Sequence, residues 1–320
     1  MTRDVTVSIL TFNGERYLDA LLSAVEAQDF DGTVEVLVVD SGSTDRTLAI
    51  VAAHPSVRLH RIPQAEFGHG RTRNLVAELA NGEFVAYLTH DAVPADTHWL
   101  RELVRPFRDD ERIVAVVGKQ VPRRNAPPLV KYDIQRVFER LGPDYGITVV
   151  ADWGQLPDDG ARAAAAFYSD ANSAARRSVL RSTVPYPEVD YAEDQLFARQ
   201  VLDAGLRKAY APRAAVEHSN EVTLRNLGAR IEADMVGLRS IGTVVAPVSL
   251  LAACAQWLKW STMDALAIMV DRDYGAAAKV RWLLVNPWYH AVKWRAYRRA
   301  TRRPVTVDPR AVGGRTGALG

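Results

Sequence analysis

The chain of 320 residues has one cysteine, Cys254. It can therefore form neither an intramolecular disulfide nor a Cys-based zinc cluster, a usage that fits a reducing compartment. Its opening, MTRDVTVSIL, lacks the basic, long apolar and small-residue succession of a signal peptide, so export is not expected. A charge excess is lacking too. Forty Lys and Arg stand against 38 Asp and Glu, and a net charge of +2 gives no ground for nucleic acid as a partner. There is no internal repeat. The apolar run Val244 to Leu258 is interrupted by Gln256 and ended by Lys259. It is shorter than the ~20 residues that a spanning helix needs, and it predicts a buried or interfacial helix.

What is present is ample material for a core. At 48% hydrophobic and 24% charged, the chain suits one large domain, or one with an appendage. The stretch Phe67 to Asp96, FGHGRTRNLVAELANGEFVAYLTHDAVPAD, carries the most chemistry. A Gly-rich loop with Arg71 and Arg73 leads through a short amphipathic segment into the apolar strand Phe84 to Leu88, and the strand delivers Asp91. A buried strand with an acid at its carboxyl end, preceded by a helix with a basic first turn, is how an α/β sheet gathers a phosphate-bearing ligand and a divalent cation in one crevice.

The beginning of the chain supports a parallel sheet. Val5 to Thr11 reads as a strand, Gly14 to Gln28 as a helix, Val34 to Val39 as a strand ending on Asp40, Asp45 to Ala53 as a helix and Val57 to Ile62 as a strand. Beyond the central stretch, Asp96 to Phe107 reads as a helix and Ile113 to Gly118 as a strand. Pro122 to Ala166, broken by prolines and glycines, reads as an irregular insertion beside the site. Ala174 to Leu180 reads as helical, Glu193 to Ala204 as a helix closed by Gly205, and Lys208 to Tyr210 and Ala215 to His218 as short strands. From Ser219 to about Ala300 the chain reads as mostly helical, and the tail GGRTGALG as frayed.

The end of the chain has its own character. From Tyr274 to Val307 there is no Asp or Glu, while Lys279, Arg281, Lys293, Arg295, Arg298, Arg299, Arg302 and Arg303 add positive charge. Five of the seven tryptophans lie after residue 250. Trp282, Leu283, Trp288, Tyr289 and Trp294 beside these cations suit the headgroup level of an anionic membrane. The other reading is a helical appendage that packs on the catalytic domain or forms a homo-oligomer contact.

The ordered blocks TFNGERYLDALLSAVEAQ, VVDSGSTDRT, GRTRNLVAELANGEFVAYLTHDA, NSAARRSV and EDQ resemble the inverting glycosyltransferases of family 2. FGHGRTRN followed by THDA resembles, more narrowly, the bacterial rhamnosyltransferases that use dTDP-L-rhamnose in surface-polysaccharide assembly. The resemblance covers about the first 220 residues. It implies the α/β GT-A nucleotide-diphospho-sugar transferase fold, a Rossmann-like, mostly parallel sheet flanked by helices, here with a C-terminal helical extension. Residues 1–220 would be the catalytic domain (1–120 for the nucleotide sugar, 121–220 for the acceptor), 221–303 the extension and 304–320 a tail.

The resemblance also distributes roles. Asp40 is to accept hydrogen bonds from the donor's base or ribose, with Thr11, Asn13 and Glu15 lining the nucleotide pocket. Asp45, in the same turn, is as much a helix cap. Arg71 and Arg73 offer planar donors to diphosphate oxygens, and Asn74 fixes their loop. Asp91 is to hold Mg²⁺ or Mn²⁺. Many relatives have an Asp-x-Asp pair where this chain has Thr89, His90 and Asp91, so His218 of VEHS is the second metal ligand expected. Asp194 is the general base, and Asn172, Ser173, Arg176 and Glu193 form the acceptor side. The implied reaction is in-line displacement with inversion, from a nucleotide-diphosphate sugar to a glycan or lipid-linked acceptor, at the cytoplasmic face of the plasma membrane. Another UDP- or GDP-sugar, or a non-catalytic nucleotide-sugar scaffold, is the alternative. A Rossmann dehydrogenase is excluded, because TFNGER after the first strand has no G-x-G-x-x-G.

Overall fold

The structure, a computed structural model, describes residues 3–124, 126–218 and 223–312. The tail read as frayed, from Gly313 onward, lies outside the described residues. The described chain divides into two compact units. Met1–Val121 joins Val137–His218 in the first, and Pro122–Arg136 joins Ser219–Gly320 in the second.

The first unit is built on one sheet. In chain order its elements are β1 (Arg3–Thr11), α1 (Leu18–Glu26), β2 (Val34–Asp40), α2 (Thr47–Ala52), β3 (Val57–Arg61), α3 (His69–Leu79), β4 (Gly82–Thr89), β5 (Val93–Pro94), α4 (Trp99–Asp109) and β6 (Ile113–Val121). After α5 (Pro128–Glu139) come β7 (Thr148–Val150), α6 (Asp159–Ala166), β8 (Asn172–Arg176), α7 (Arg177–Ser182), α8 (Glu193–Asp203) and β9 (Arg207–Glu217). The strand order is β3-β2-β1-β4-β8-β6-β9-β5, with β7 on β9. β1 to β4 are mutually parallel, while β8 runs antiparallel between β4 and β6. Valines, leucines and isoleucines of β1, β2 and β4 pack against Leu18, Leu21, Leu22 and Val25 of α1 and Trp99, Leu103 and Phe107 of α4. Both faces of the strands are covered, which is why they read as nearly continuous apolar runs.

Three segments differ from expectation. Ala174 to Leu180 starts as strand β8, with Asn172 to Ala175 fully or almost fully buried, and turns helical only at Arg177. The small alanines, good helix formers in isolation, fit the narrow space between two strands, and tertiary context overrides propensity. The two short strands expected near residues 208 and 215 are halves of one strand, β9. Its register against β6 slips between Gly118 and Lys119, where Ala211 and Ala215 are the successive partners. The insertion is partly ordered too, and its front, Pro122–Arg136, belongs with the C-terminal helices. Gly205 ends α8 as expected, at φ +72°, a conformation that glycine adopts without a Cβ penalty.

The turn after α2 holds a pH-sensitive clasp. Buried His54 has Nδ1 2.9 Å from Glu26 Oε2 and Nε2 3.3 Å from Asp19 Oδ1. Ser56 donates to the other Glu26 oxygen. Burial lowers the imidazole's pKa, but hydrogen bonds and charges from Glu26 and Asp19 outweigh it and the net shift is upward. Hydrogen bonds from Ser56 and His54 lower that of Glu26. The histidine's stabilisation is thus full below its unfolded pKa, about 6.5, and disappears as pH rises through the higher folded value. The carboxylate's is present above its unfolded pKa and lost as pH falls through the lower folded one. His54→Ala is therefore expected to lower Tm more at pH 6 than at pH 9, measured by calorimetry at both.

The second unit comprises the start of α5, α9 (Leu224–Ser240), α10 (Leu250–Val270), α11 (Ala276–Arg302) and α12 (Pro309–Val312). Leu129, Tyr132, Leu227, Ile268 and Tyr289 form its core. Within it, buried Asp264 meets Arg136 and His290 Nε2, the latter at 2.9 Å. Burial brings the His290 pKa down to about 4, so a neutral ring donates that bond. The helix read from Val244 to Leu258 begins at Leu250 and continues to Val270. Among the described residues no helix is long and apolar enough to cross a membrane.

Candidate active site

The parallel strands bring their carboxyl ends level. Thr11 pairs with Asp40 in register, and Leu10 with Thr89. The loops that follow β1 and β2 are knitted together. Asn13 N donates to Ser43 Oγ (2.9 Å), Gly14 N to Thr47 Oγ1 (2.8 Å), Glu15 N to Asp45 Oδ2 (3.1 Å), Thr44 N to Asn13 Oδ1 (2.9 Å) and Arg46 N to Glu15 Oε2 (3.0 Å). Asn13 and Glu15 therefore shape the crevice wall by holding loops, and Asp45 serves the turn, also bonding Thr47. Asp40 differs. Its Oδ2 accepts from Gly42 N and Ser43 N, while its Oδ1, like Thr11 Oγ1, is buried without a partner. A buried acceptor left unmade costs about 1–3 kcal/mol, so its persistence marks a place for a ligand's donor.

Asp91 and His218 come together through the sheet's far edge. β5 follows Asp91 and pairs antiparallel with the end of β9, Val93 opposite Glu217. His218 Nε2 lies 3.3 Å from Asp91 Oδ2, and His218 Nδ1 2.8 Å from Gln120 Oε1. Gln120 orients the imidazole, as an outer partner does for a metal-binding histidine. Burial works to raise the Asp91 pKa but is outweighed by the His218 hydrogen bond and charge and by Thr89, so the carboxylate stays ionised. One hard carboxylate and one imidazole fit Mg²⁺ or Mn²⁺, with positions left for phosphate oxygens and water.

A second constellation gathers around Arg73. Its Nε is 2.7 Å from Asp170 Oδ2 and its Nη1 2.5 Å from Glu193 Oε1, and all three side chains are buried. Ser173 Oγ (2.6 Å) and Tyr186 OH (2.8 Å) donate to the other Asp170 oxygen. Burial works to lower the Arg73 pKa, yet Asp170 and then Glu193 raise it, and the guanidinium remains charged. Asp170, Glu193 and Asp194 each offer an oxygen within 4.8 Å of the others. The cation among them is Arg73, and we do not read the set as a metal centre. Asp194 is half-buried at the first turn of α8, and its pKa is raised well above the usual carboxylate range by burial and then by Glu193 and Asp170. Ala192, just before α8, adopts φ +57°; with Asn13 it is one of two non-glycine residues at positive φ among those described.

These contacts redistribute the expected roles. Arg73 is committed to two buried carboxylates, so its expected diphosphate contact gives way to a positioning role. Arg71, exposed and 3.5 Å from Glu188, keeps a guanidinium accessible to a ligand. Asn172 is fully buried and accepts from Trp99 Nε1 (2.8 Å) while donating to the carbonyls of Lys119 and Ala214. Ser173 is spent on Asp170 and Glu193 on Arg73. Arg176 lies opposite Phe84, toward the amino end of β4, and bonds the Ile113 and Phe107 carbonyls. Because β8 runs antiparallel, its Asn172 end points toward the site and Arg176 away from it, so Arg176 leaves the acceptor set. Asn74, expected to fix the arginine loop, exchanges hydrogen bonds with the Tyr186 backbone and so ties α3 to the turn at 185–187. Gly70 meets the same turn, where an added Cβ would lie 2.1 Å from Pro187 O. Asp170 escaped sequence reading. Its only signal is an acid within the SDANS run before the recognised NSAARRSV block.

The comparison with known proteins identifies the frame that holds these residues. A sequence profile described as Glycosyl transferase family 2 matches residues 6–183, more than half of the chain. The chain belongs to glycosyltransferase family 2. It is 31% identical over 223 residues to the O-antigen chain rhamnosyltransferase RfbN of Salmonella typhimurium, covering 69% of this chain and 68% of that protein. It is 32% identical over 194 residues to the O-antigen chain rhamnosyltransferase WbaN of Salmonella anatum, covering 60% of this chain and 58% of that one. Among solved structures, the mannosyltransferase PcManGT of Pyrobaculum calidifontis, in complex with GDP-Man and Mn²⁺, superposes with TM-score 0.58 at 21% identity over 94% of this chain and 86% of that one. That likeness bears out the GT-A fold expected from the motifs. The glycosyltransferase thus carries its Asp91–His218 pair just past strands β4 and β9 of one sheet, and Asp194 in the first turn of α8.

Proposed function

We propose that this glycosyltransferase inverts the anomeric centre of L-rhamnose as it moves the sugar from dTDP-L-rhamnose to an acceptor hydroxyl in cell-surface polysaccharide or glycolipid assembly. The observation that carries the site is the approach of Asp91 and His218 to 3.3 Å, from loops after β4 and β9, with Asp40, whose Oδ1 alone lacks a partner, at the end of β2. The sugar rests on the likeness to two rhamnosyltransferases. Asp40 and Thr11 receive the nucleoside, Arg71 faces the diphosphate, and Asp91 with His218 would hold a divalent cation. When bound, Mg²⁺ or Mn²⁺ there supplies positive charge against the departing nucleoside diphosphate.

Asp194 takes the acceptor hydroxyl's proton as the new bond to the anomeric carbon forms and the bond to the diphosphate oxygen breaks. A raised pKa makes its carboxylate a stronger base, closer to the operating pH. Arg73, through Asp170 and Glu193, fixes the start of α8 and so the base. We assign the enzyme to the inner face of the plasma membrane, with a glycan or lipid-linked acceptor.

A panel of nucleotide sugars, screened by thermal shift with and without Mn²⁺, tests the donor. dTDP-L-rhamnose is expected to stabilise most, and Mn²⁺ to strengthen the effect. Asp91→Ala and His218→Ala should each weaken donor binding about tenfold or more in the presence of the cation, the effect of removing a ligand or its support, and little in EDTA. Equal affinity of wild type and both variants with Mn²⁺ would remove the cation from the site. Donor binding without transfer to any acceptor would favour a scaffold, and stronger stabilisation by a UDP- or GDP-sugar would replace rhamnose.

A further inference from the structure

The C-terminal helices carry an apolar surface that the catalytic reading does not use. Of the aromatic residues expected at a membrane interface, Tyr289 is buried in the core, where Trp282 and Leu283 pack against it. Trp288 is the exception, 70% exposed. It lies on a stripe of α11 on which Ala277, Val280, Leu284, Trp288 and Ala291 are all exposed at helical spacing. The same stripe continues into exposed Arg295, Arg299 and Arg302. On α10, Leu251, Ala255, Leu258, Thr262, Leu266 and Met269 form a second exposed stripe, with Leu251 84% exposed. The two helices pack together, and Trp257 Nε1 donates to the Pro287 carbonyl to tie them. Large exposed apolar surface of this kind is unusual on a protein that meets only water.

Charge decides what covers it. The single acid on α10 is Asp264, fully buried, and α11 has none. Around the stripes stand exposed Lys259, Arg281, Arg295 and Arg302. A second copy of the chain laid face to face would set cations against cations. An anionic lipid surface matches both features, apolar side chains entering the acyl boundary while the cations meet headgroup phosphates. Neither helix can span the bilayer. We propose that the α10–α11 pair is a peripheral docking surface for anionic membrane, held by its exposed leucines and Trp288 as well as by its arginines. The four arginines in the last turns of α11 are not equivalent in this. Arg299 is 2.9 Å from Glu232 and Arg298 is half-buried, which leaves Arg295 and Arg302 as the exposed cations aligned with the apolar stripe.

The docking surface rests on the assignment to a membrane face made above, but its test needs neither sugar nor acceptor. Full-length protein is co-sedimented with phosphatidylcholine vesicles and with phosphatidylcholine–phosphatidylglycerol vesicles, at low and high salt. Wild type is expected on the anionic vesicles, with its tryptophan fluorescence quenched by brominated lipid and that quenching reduced in Trp288→Phe. Leu258→Gln, Leu266→Gln, Leu284→Gln and Trp288→Gln together should lower the partition coefficient about tenfold or more at either salt concentration, whereas Arg295→Ser with Arg302→Ser should lower it chiefly at low salt. Every substituted side chain is exposed, and an unchanged Tm in thermal denaturation verifies the fold. Absence of wild-type binding, or equal binding by the fourfold variant, overturns the docking surface while leaving the transferase reading standing. A wild-type dimer that the fourfold variant converts to monomer, measured by light scattering, assigns the face to a second copy instead.

Discussion

Asp194→Asn is expected to lower turnover by about 10²–10⁴-fold, the range for losing a positioned general base, while leaving the affinity for the nucleotide sugar nearly unchanged. Asparagine keeps the side chain's size and the hydrogen bond that Gln195 N donates to Oδ1, but it cannot take the acceptor's proton. Losing a carboxylate also relieves repulsion among Asp170, Glu193 and Asp194, so the variant should be at least as stable as wild type. This sets it apart from substitutions that damage the fold. Steady-state kinetics with saturating donor, paired with thermal denaturation, checks both halves. Undiminished turnover would remove Asp194 from the mechanism, and a lower Tm would show that it holds α8 in place.

Replacing Arg73 should have the opposite signature. Arg73→Met leaves Asp170 and Glu193 buried with no cation between them, a loss of about 3–5 kcal/mol for breaking a buried ion pair. Tm is expected to fall by roughly 10 °C at 2–4 °C per kcal/mol for a chain of this size, with turnover falling as the start of α8 loosens. Arg73→Lys keeps the charge but not the fork that reaches both acids, and should fall between the two. An arginine that touched the donor's diphosphate would behave otherwise. Its replacement would weaken donor binding at nearly constant Tm, so measuring Tm and donor affinity on the same two variants separates a positioning residue from a ligand-binding one.

The same contrast divides the rest of the site. The sequence by itself determined the alternation of strands and helices through Ile113 to Gly118, because buried strand stretches such as Val34 to Val39 and Phe84 to Leu88 are mostly apolar and amphipathic helices repeat every three to four residues. It determined Asp40 and Asp91 as strand-end acids, since the strand before each is unmistakable, and Asp194 in the first turn of α8. The family was legible for the same reason: its motifs are local runs at the ends of those elements. What the tertiary structure decided is which neighbours each side chain has. Composition marks arginine as a cation and hydrogen-bond donor but cannot say whether it will meet a diphosphate or Asp170 and Glu193, for Glu193 is 120 positions from Arg73 along the chain. Strand direction assigned Arg176 to the wrong edge of the sheet for an acceptor contact, and Ala174 and Ala175 to a strand against their helical propensity. The pairing of β5 with β9 brought His218 to Asp91. Along α10 and α11 the sequence supplied the apolar and basic residues, and packing chose which of them stay exposed, burying Tyr289 and leaving Trp288 outside. Local periodicity is written in the chain because it depends on residues a few positions apart, whereas partners, burial and exposure depend on contacts between distant segments that exist only once the sheet and the helices have formed.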